Sequence, residues 1–380
     1  MAYTTPTVNY ATTLDGTYTS LTGIQNVTIT RGRKRPIDPF QQSSCVIELI
    51  PANSYATALA IGQFIDVRPT NSASSRAFFA GKITDVQRFY DFPYNSGTGA
   101  APGDRIVITA TGGTGTLGQG YGTYDWVSSE TWLATEQTPW GCAIFSDALG
   151  TSKISAQTVT TSPLDIMNTT CNTLQRYIDD VDLKRVLNFG FSSAIYLYQK
   201  SNNTVTFSDT GSGYAMKKVE YESSAQNTYS RVRVEPAGLT SQTTEAATAP
   251  YNTAVLQTYN VTTADALAVS AYFYNLNSGQ LTAVPTKIVT DTTVAESCTD
   301  LLLLYKSFGA SPPPEQPYIG ADTVVTFRGV TANAVTQGFS ATFYSDRAVV
   351  TTYLSPGLGV PFTLNSTQFG ILDTNRLGWN

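Results

Sequence analysis

The run Val27-Thr28-Ile29-Thr30-Arg31-Gly32-Arg33-Lys34-Arg35-Pro36, with Cys45-Val46-Ile47-Glu48-Leu49 shortly after it, decides the fold class of this chain. Val27 and Ile29 alternate with Thr28 and Thr30, and Cys45, Ile47 and Leu49 repeat the alternation. Successive strand side chains point to opposite faces. A period of two on both sides of a polar, basic connection therefore predicts paired antiparallel strands with one apolar face.

Working outward, residues 61–67, 78–86 and 104–111 read as further strands, with turns at 71–75 and 91–103. Gly81 inside one of them predicts a bulge or a close backbone approach. Residues 1–111 together look like one β-barrel or sandwich. The glycines at 112, 113, 115, 118, 120 and 122 predict a flexible hinge or a long hairpin tip. No Lys-Ser/Thr follows them and no βαβ unit surrounds them, so they do not form a phosphate loop.

A helix is expected over 163–180, with Ser162 as cap, Pro163 at its first position, and Ile166, Cys171, Leu174, Ile178 and Val181 recurring near a helical period. Residues 195–198 and 204–207 read as a hairpin across Ser201-Asn202-Asn203. Strand-like runs follow within 213–236, then an exposed excursion or linker at 238–253. Strands are expected in 254–275, 281–290, 321–330 and 334–353, a short helix at 295–305, and a rigid connector at Pro312-Pro313-Pro314. The expected fold class is mainly β with minor α (α+β), with a second β module at about 230–355.

Composition agrees. Of 380 residues 41% are hydrophobic, enough for real cores, while only 13% are charged, about half the usual share. Thr and Tyr, which suit pleated surfaces, fill the gap, and 29 Gly with 18 Pro supply turns. A net charge of −5 argues against a general nucleic-acid binder, which needs a basic face. It allows DNA to pass along a wall that does not hold it. The start has no basic region followed by an apolar one, and no apolar run approaches 18 residues. Neither a signal peptide nor a membrane-spanning helix is expected.

The chain contains no histidine, which removes His-based triads, most zinc sites and the commonest general base. Cys45, Cys142, Cys171 and Cys298 form no Cys-x-x-Cys pair and read as free buried thiols of a protein made in a reducing cytosol. Asp179, Asp180 and Asp182 are the densest carboxylate cluster. Their spacing is not that of a calcium loop, and a solvated helix end explains them. Trp126, Trp132 and Trp140 lie within one short stretch and suit either a sugar-binding platform or an aromatic cluster at a subunit interface. Arg31, Arg33, Lys34 and Arg35 place four of the 23 cations in five positions, and read as a surface loop or a contact to a neighbouring subunit. No catalytic, cofactor-binding or metal-ligating residues are expected.

Two segments resemble the minor tail proteins that form the tail hub of siphophages. One is the strand, Arg31-Gly32-Arg33 turn, Pro-containing connection and second strand of residues 27–53, closed by Phe79-Ala80-Gly81-Lys82-Ile83. The other is Ser355-Pro356 with Phe362-Thr363-Leu364 and Phe369-Gly370-Ile371-Leu372-Asp373-Thr374-Asn375-Arg376-Leu377-Gly378. The resemblance implies two tail-tube-like β-barrel domains with smaller α+β inserts. The division expected is 1–117 for the first barrel, 118–228 for an α+β insert, 229–355 for the second barrel with insertions, and 356–380 for a closing segment.

It also implies a structural protein of the virion, made in the host cytoplasm, without enzymatic activity or membrane insertion. Three copies would form a pseudo-sixfold ring between tail tube and tail tip, around the DNA exit channel. The implied partners are two further copies, the tail tube or distal tail protein, tip or fibre proteins, the tape measure protein, and DNA in transit only. The rival reading is a carbohydrate-binding or depolymerising tail-tip protein, resting on the three tryptophans. The Trp-rich stretch, the excursion at 238–253 and the Pro-rich connector have no counterpart in the resemblance.

Overall fold

The computed structural model describes residues 3–13, 16–50, 58–70, 77–90, 104–126, 143–146, 154–181, 194–198, 204–222, 229–247, 251–278, 284–294 and 318–356. The fold is mainly β with minor α. The first seven strands are β1 (Thr7–Ala11), β2 (Thr19–Ser20), β3 (Ile24–Gly32), β4 (Ser44–Leu49), β5 (Phe64–Arg68), β6 (Phe79–Phe89) and β7 (Arg105–Thr111). They hydrogen-bond in the order β2-β1-β5-β6-β7-β4-β3. The alternation read from the sequence is the burial pattern: Val27, Ile29, Cys45, Ile47 and Leu49 are fully buried. Each such aliphatic side chain contributes about 1.5–3 kcal/mol.

A second β unit is built from β13 (Thr204–Ser208), β14 (Tyr214–Ala215), β15 (Lys218–Glu222), β19 (Val284–Asp291), β20 (Asp322–Phe327), β21 (Val330–Tyr344) and β22 (Ala348–Pro356). The two units are one 14-stranded sheet. The first part of β21 pairs with β20 (Val330↔Phe327 to Val335↔Asp322), and its second part pairs with β3 (Gly338↔Gly32 to Tyr344↔Asn26). Its opposite edge carries β22, with a register shift between Thr336 and Gly338. One hydrophobic core runs through both units, from Val27 and Ile47 to Phe207, Ile288 and Val325. Among the described residues no ladder closes the sheet into a ring. Side chains bring its start to the far end of β21, where the Tyr3 hydroxyl donates to the Tyr344 carbonyl at 2.8 Å.

Smaller elements stand beside this sheet. They are helix α1 (Gly113–Gln119), strands β8 (Gly122–Trp126) and β10 (Gln157–Thr161) paired together, helix α2 (Pro163–Leu174), and β9 (Ala143–Ser146), β11 (Tyr177–Val181) and β12 (Ala194–Tyr198) in a three-stranded sheet. A separate α/β unit combines β16 (Arg231–Pro236), β17 (Gln242–Glu245) and β18 (Thr253–Thr258) with helix α3 (Thr263–Ser278). It has its own core of Val232, Val234, Ala254, Leu256, Ala266, Val269, Phe273 and Leu276.

Several local expectations are corrected. Of the glycines after 111, those at 113, 115 and 118 lie in α1, 112 and 120 cap it and 122 begins β8, rather than forming a hinge or hairpin tip, and two of them serve close packing. A Cβ on Gly115 would lie 2.4 Å from that of Thr111, and one on Gly118 would lie 2.2 Å from the Gln42 amide nitrogen. The helix expected to reach residue 180 stops at Leu174, where Gln175 turns left-handed at φ 56°. Ile178, Asp179, Asp180 and Val181 are therefore strand residues of β11, and the aspartates do not mark a helix end.

Residues 195–198 and 204–207 do not form a hairpin, because β12 joins β11 and β9 while β13 runs parallel to β20. The excursion at 238–253 contains β17, antiparallel to β16. The strand expected over 254–275 ends at Thr258, and α3 follows. Its signal is Thr262-x-x-Asp265, where Asp265 N–H donates to Thr262 Oγ1 at 3.1 Å and the Thr262 hydroxyl donates to the carboxylate at 2.6 Å. The expected helix at 295–305, the connector at 312–314 and the segment 357–380 lie outside the described residues.

Two outcomes follow from this packing. A Cβ at Gly338 would sit 2.6 Å from the carbonyl oxygens of Arg31 and Arg33. Gly338→Ala should therefore cost roughly 2–3 kcal/mol in urea unfolding. Gly329→Ala, at φ +77° with nothing within 4 Å, should cost only about 1 kcal/mol; equal losses would show that the close approach imposes nothing. Cys45 and Cys171 are buried, and burial raises the pKa of both thiols against the opposing effect of nearby arginines. In a Cys142→Ser/Cys298→Ser variant a thiol reagent should label the chain only as it unfolds; rapid labelling of the folded chain would contradict their placement.

Candidate functional site

The connection after β3 is where the parts of the molecule meet. Arg31, 6% exposed, donates from its guanidinium to the Phe78 carbonyl. Gly32 adopts φ +81° and faces Gly338 across the ladder, so the two backbones touch where side chains would collide. Arg33, also 6% exposed, donates its backbone N–H to the Gln337 carbonyl at 3.0 Å and its Nε to Gln337 Oε1 at 2.8 Å. Gln337 in turn donates to Ser355 Oγ at 2.8 Å. The Arg33 guanidinium carbon stands 4.3 Å from the centre of the Phe40 ring and 5.7 Å from that of Tyr177. Burial pulls its pKa down, while Tyr177, Cys171, Tyr272 and Asp38 pull it back up.

The basic run is thus divided. Arg31 and Arg33 lie inside the chain, and Lys34 and Arg35 are exposed. Lys34 Nζ stands 5.8 Å from the Tyr353 ring centre, and Arg35 pairs with Asp38 at 2.8 Å, a surface bridge of small energetic value. Trp126 ends β8 opposite Gln157, whereas Trp132 and Trp140 lie outside the described residues. The sequence concealed the buried half of the run, because nothing in Arg-Gly-Arg distinguishes an interior guanidinium from a solvated one. Phe40, Asn168, Tyr177 and Gln337 were not anticipated, being distant in sequence and joined only by the fold.

A second feature is the outer face of the sheet across the junction. In register, Thr109, Val46, Thr28, Thr342 and Val349 form one row over β7, β4, β3, β21 and β22. Thr111, Ser44, Thr30, Ser340, Thr351 and Val289 form the next, which extends onto β19. None carries a charge. Hydroxyls bridge the two units at the centre, with Thr28 and Thr342 at 3.1 Å and Thr30 and Ser340 at 3.3 Å. Charge appears at the borders, where Asp85 and Lys82 oppose Thr109 and Thr111 on one side. On the other, Asp291 opposes Val349 and Lys218 opposes Val289.

The border carboxylate Asp291 is fully buried. Burial pushes its pKa up, but Lys217 Nζ at 2.6 Å and the backbone N–H and hydroxyl of Thr293, both at 2.9 Å, outweigh this and hold it below the ordinary value. Among the described residues no group of three or more His, Cys, Asp or Glu side chains could hold a metal ion.

The fold has solved counterparts. The chain is similar to the 43 kDa tail protein of prophage MuSo2 from Shewanella oneidensis, with 13% identity, a TM-score of 0.55, and coverage of 91% of this chain and 97% of that one. It is also similar to the tail protein from Neisseria meningitidis MC58, with 11% identity, a TM-score of 0.56, and coverage of 93% and 97%. No family model and no curated protein matches the sequence.

The stabilisation from Asp291 is present above its unfolded-state pKa of about 3.9 and is lost as pH falls through the lower folded-state value. Asp291→Asn should lower the urea midpoint near neutral pH, and the gap to the unsubstituted protein should close below about pH 4. A gap that persists unchanged in acid would show that the carboxylate charge contributes nothing.

Proposed function

We propose that this chain, which has the fold of phage tail proteins, is a structural tail-hub subunit. Three copies close a pseudo-sixfold ring that joins the tail tube to the tail tip and surrounds the DNA exit channel. The observation that carries the reading is the β3–β21 ladder, which joins two β units edge to edge within one chain. The same kind of pairing between chains would satisfy the remaining strand edges and continue the sheet around a ring. The two uncharged rows across that junction suit a wall along which a polyanion slides, because they carry no cation to hold phosphate and the lysines stand at their borders.

In this reading the protein is not an enzyme. Its partners are two further copies, the tail tube or distal tail protein, tip or fibre proteins and the tape measure protein. The exposed Lys34 and Arg35, with the stretch holding Trp126, Trp132 and Trp140, contact neighbouring tail subunits.

Light scattering of the purified chain across a concentration series tests this. The expected result is a trimer, or a monomer that assembles into a six-lobed ring when mixed with tail-tube protein. A stable monomer that joins no tail protein would overturn the ring.

A further inference from the structure

The connection of residues 33–41 is anchored in two different cores. Ile37 packs against the core of the α/β unit of β16–β18 and α3, while Phe40 belongs to the core of the main sheet. Asn168 of α2 fixes Phe40 at both backbone groups, accepting from its N–H at 2.8 Å and donating to its carbonyl at 3.2 Å. Arg33 reaches Gln337 at the sheet junction and the Phe40 and Tyr177 rings. The Tyr177 side chain is hydrogen-bonded to Tyr272 of α3. A chain of contacts therefore runs from the β21 bulge through Arg33 and Tyr177 into the α/β unit. That unit's other bonds to the main body gather at one place, the end of β18: Tyr259 N–H to Thr173 Oγ1 at 2.8 Å, Asn172 Nδ2 to the Gln257 carbonyl at 3.4 Å, and Ser155 N–H to the Tyr259 carbonyl at 2.7 Å beside an Ile154–Asn260 bridge.

We infer that residues 33–41 are the joint that sets the orientation of the small α/β unit against the two-unit sheet, with Arg33 as the positioning residue that locks it. The α/β unit has its own core, so its fold does not require the joint. A buried guanidinium is a poor source of stability, since its desolvation offsets most of what its contacts return. Its forked, planar donors instead impose direction. An apolar side chain of similar length fills the same space without direction. Arg33→Met should therefore leave both units folded and free their mutual angle. The joint acts within one chain and does not depend on ring formation.

The test is a spin-label distance measurement between Ile61→Cys, 69% exposed on the main body, and Val255→Cys, 53% exposed on the α/β unit. It is made in the Cys142→Ser/Cys298→Ser background and diluted with unlabelled chain, with amide exchange followed in parallel. The parent should give one narrow distance. Arg33→Met should widen the distribution about twofold, as a freed hinge does, while amides of β16 and β18 keep their protection. A distribution as narrow as the parent's overturns the inference. So does lost protection in β16 and β18, which would make Arg33 a folding residue. If Arg33→Met does not fold, Tyr272→Phe decides: it removes only the hydroxyl that meets Tyr177, and an unwidened distance there overturns the inference as well.

Discussion

The meeting of β3 with the second half of β21 holds the molecule together. β21 is one continuous strand of 15 residues whose same edge serves β20 first and β3 afterwards. Between Val335 and Gly338 it passes from β20 to β3, its ladder with β22 on the other edge shifts register at the same place, and β3 and β21 run backbone against backbone at Gly32 and Gly338. A Cβ at either glycine would meet main-chain atoms of the other strand, which cannot move without breaking the ladder. The glycines answer a steric demand there, and the single core of both units depends on their doing so.

Arg33 stands on that junction at a cost. A charge taken out of water loses several kcal/mol of hydration, recovered only by well-placed hydrogen bonds and ring contacts. Gln337 and the rings of Phe40 and Tyr177 supply these, and each comes from a different part of the chain. Interactions of this type add little net stability, and a guanidinium displaced from these partners would be left buried without them. The junction and the α/β unit are thereby tied to the same few side chains.

The low charge of the chain also acquires a location. Threonine, serine and valine occupy the outer face over the junction, and ion pairs stand at its margins, among them Glu48 with Arg105 and Asp291 with Lys217. Hydroxyls suit a pleated surface that stays wet, and they bond across strands without attracting counterions. A face of this kind interacts only weakly with charged groups beside it.

The strand alternation of residues 27–30 and 45–49, the mainly β class and the start of α2 at Ser162-Pro163 were all legible in the sequence, because each rests on contacts between near neighbours: pleat, period and cap. The Thr262-x-x-Asp265 cap of α3 was equally local, although its apolar run reads as strand. What the sequence could not contain was the partner of each strand and the place of each charge. The pairing of β12 with β9 rather than β13, the arrest of α2 at Gln175, and the burial of Arg31 and Arg33 depend on residues up to 304 positions away. A local pattern records which face of an element is apolar. Only the closed fold decides what covers that face, since long-range contacts form by packing and leave no period in the chain.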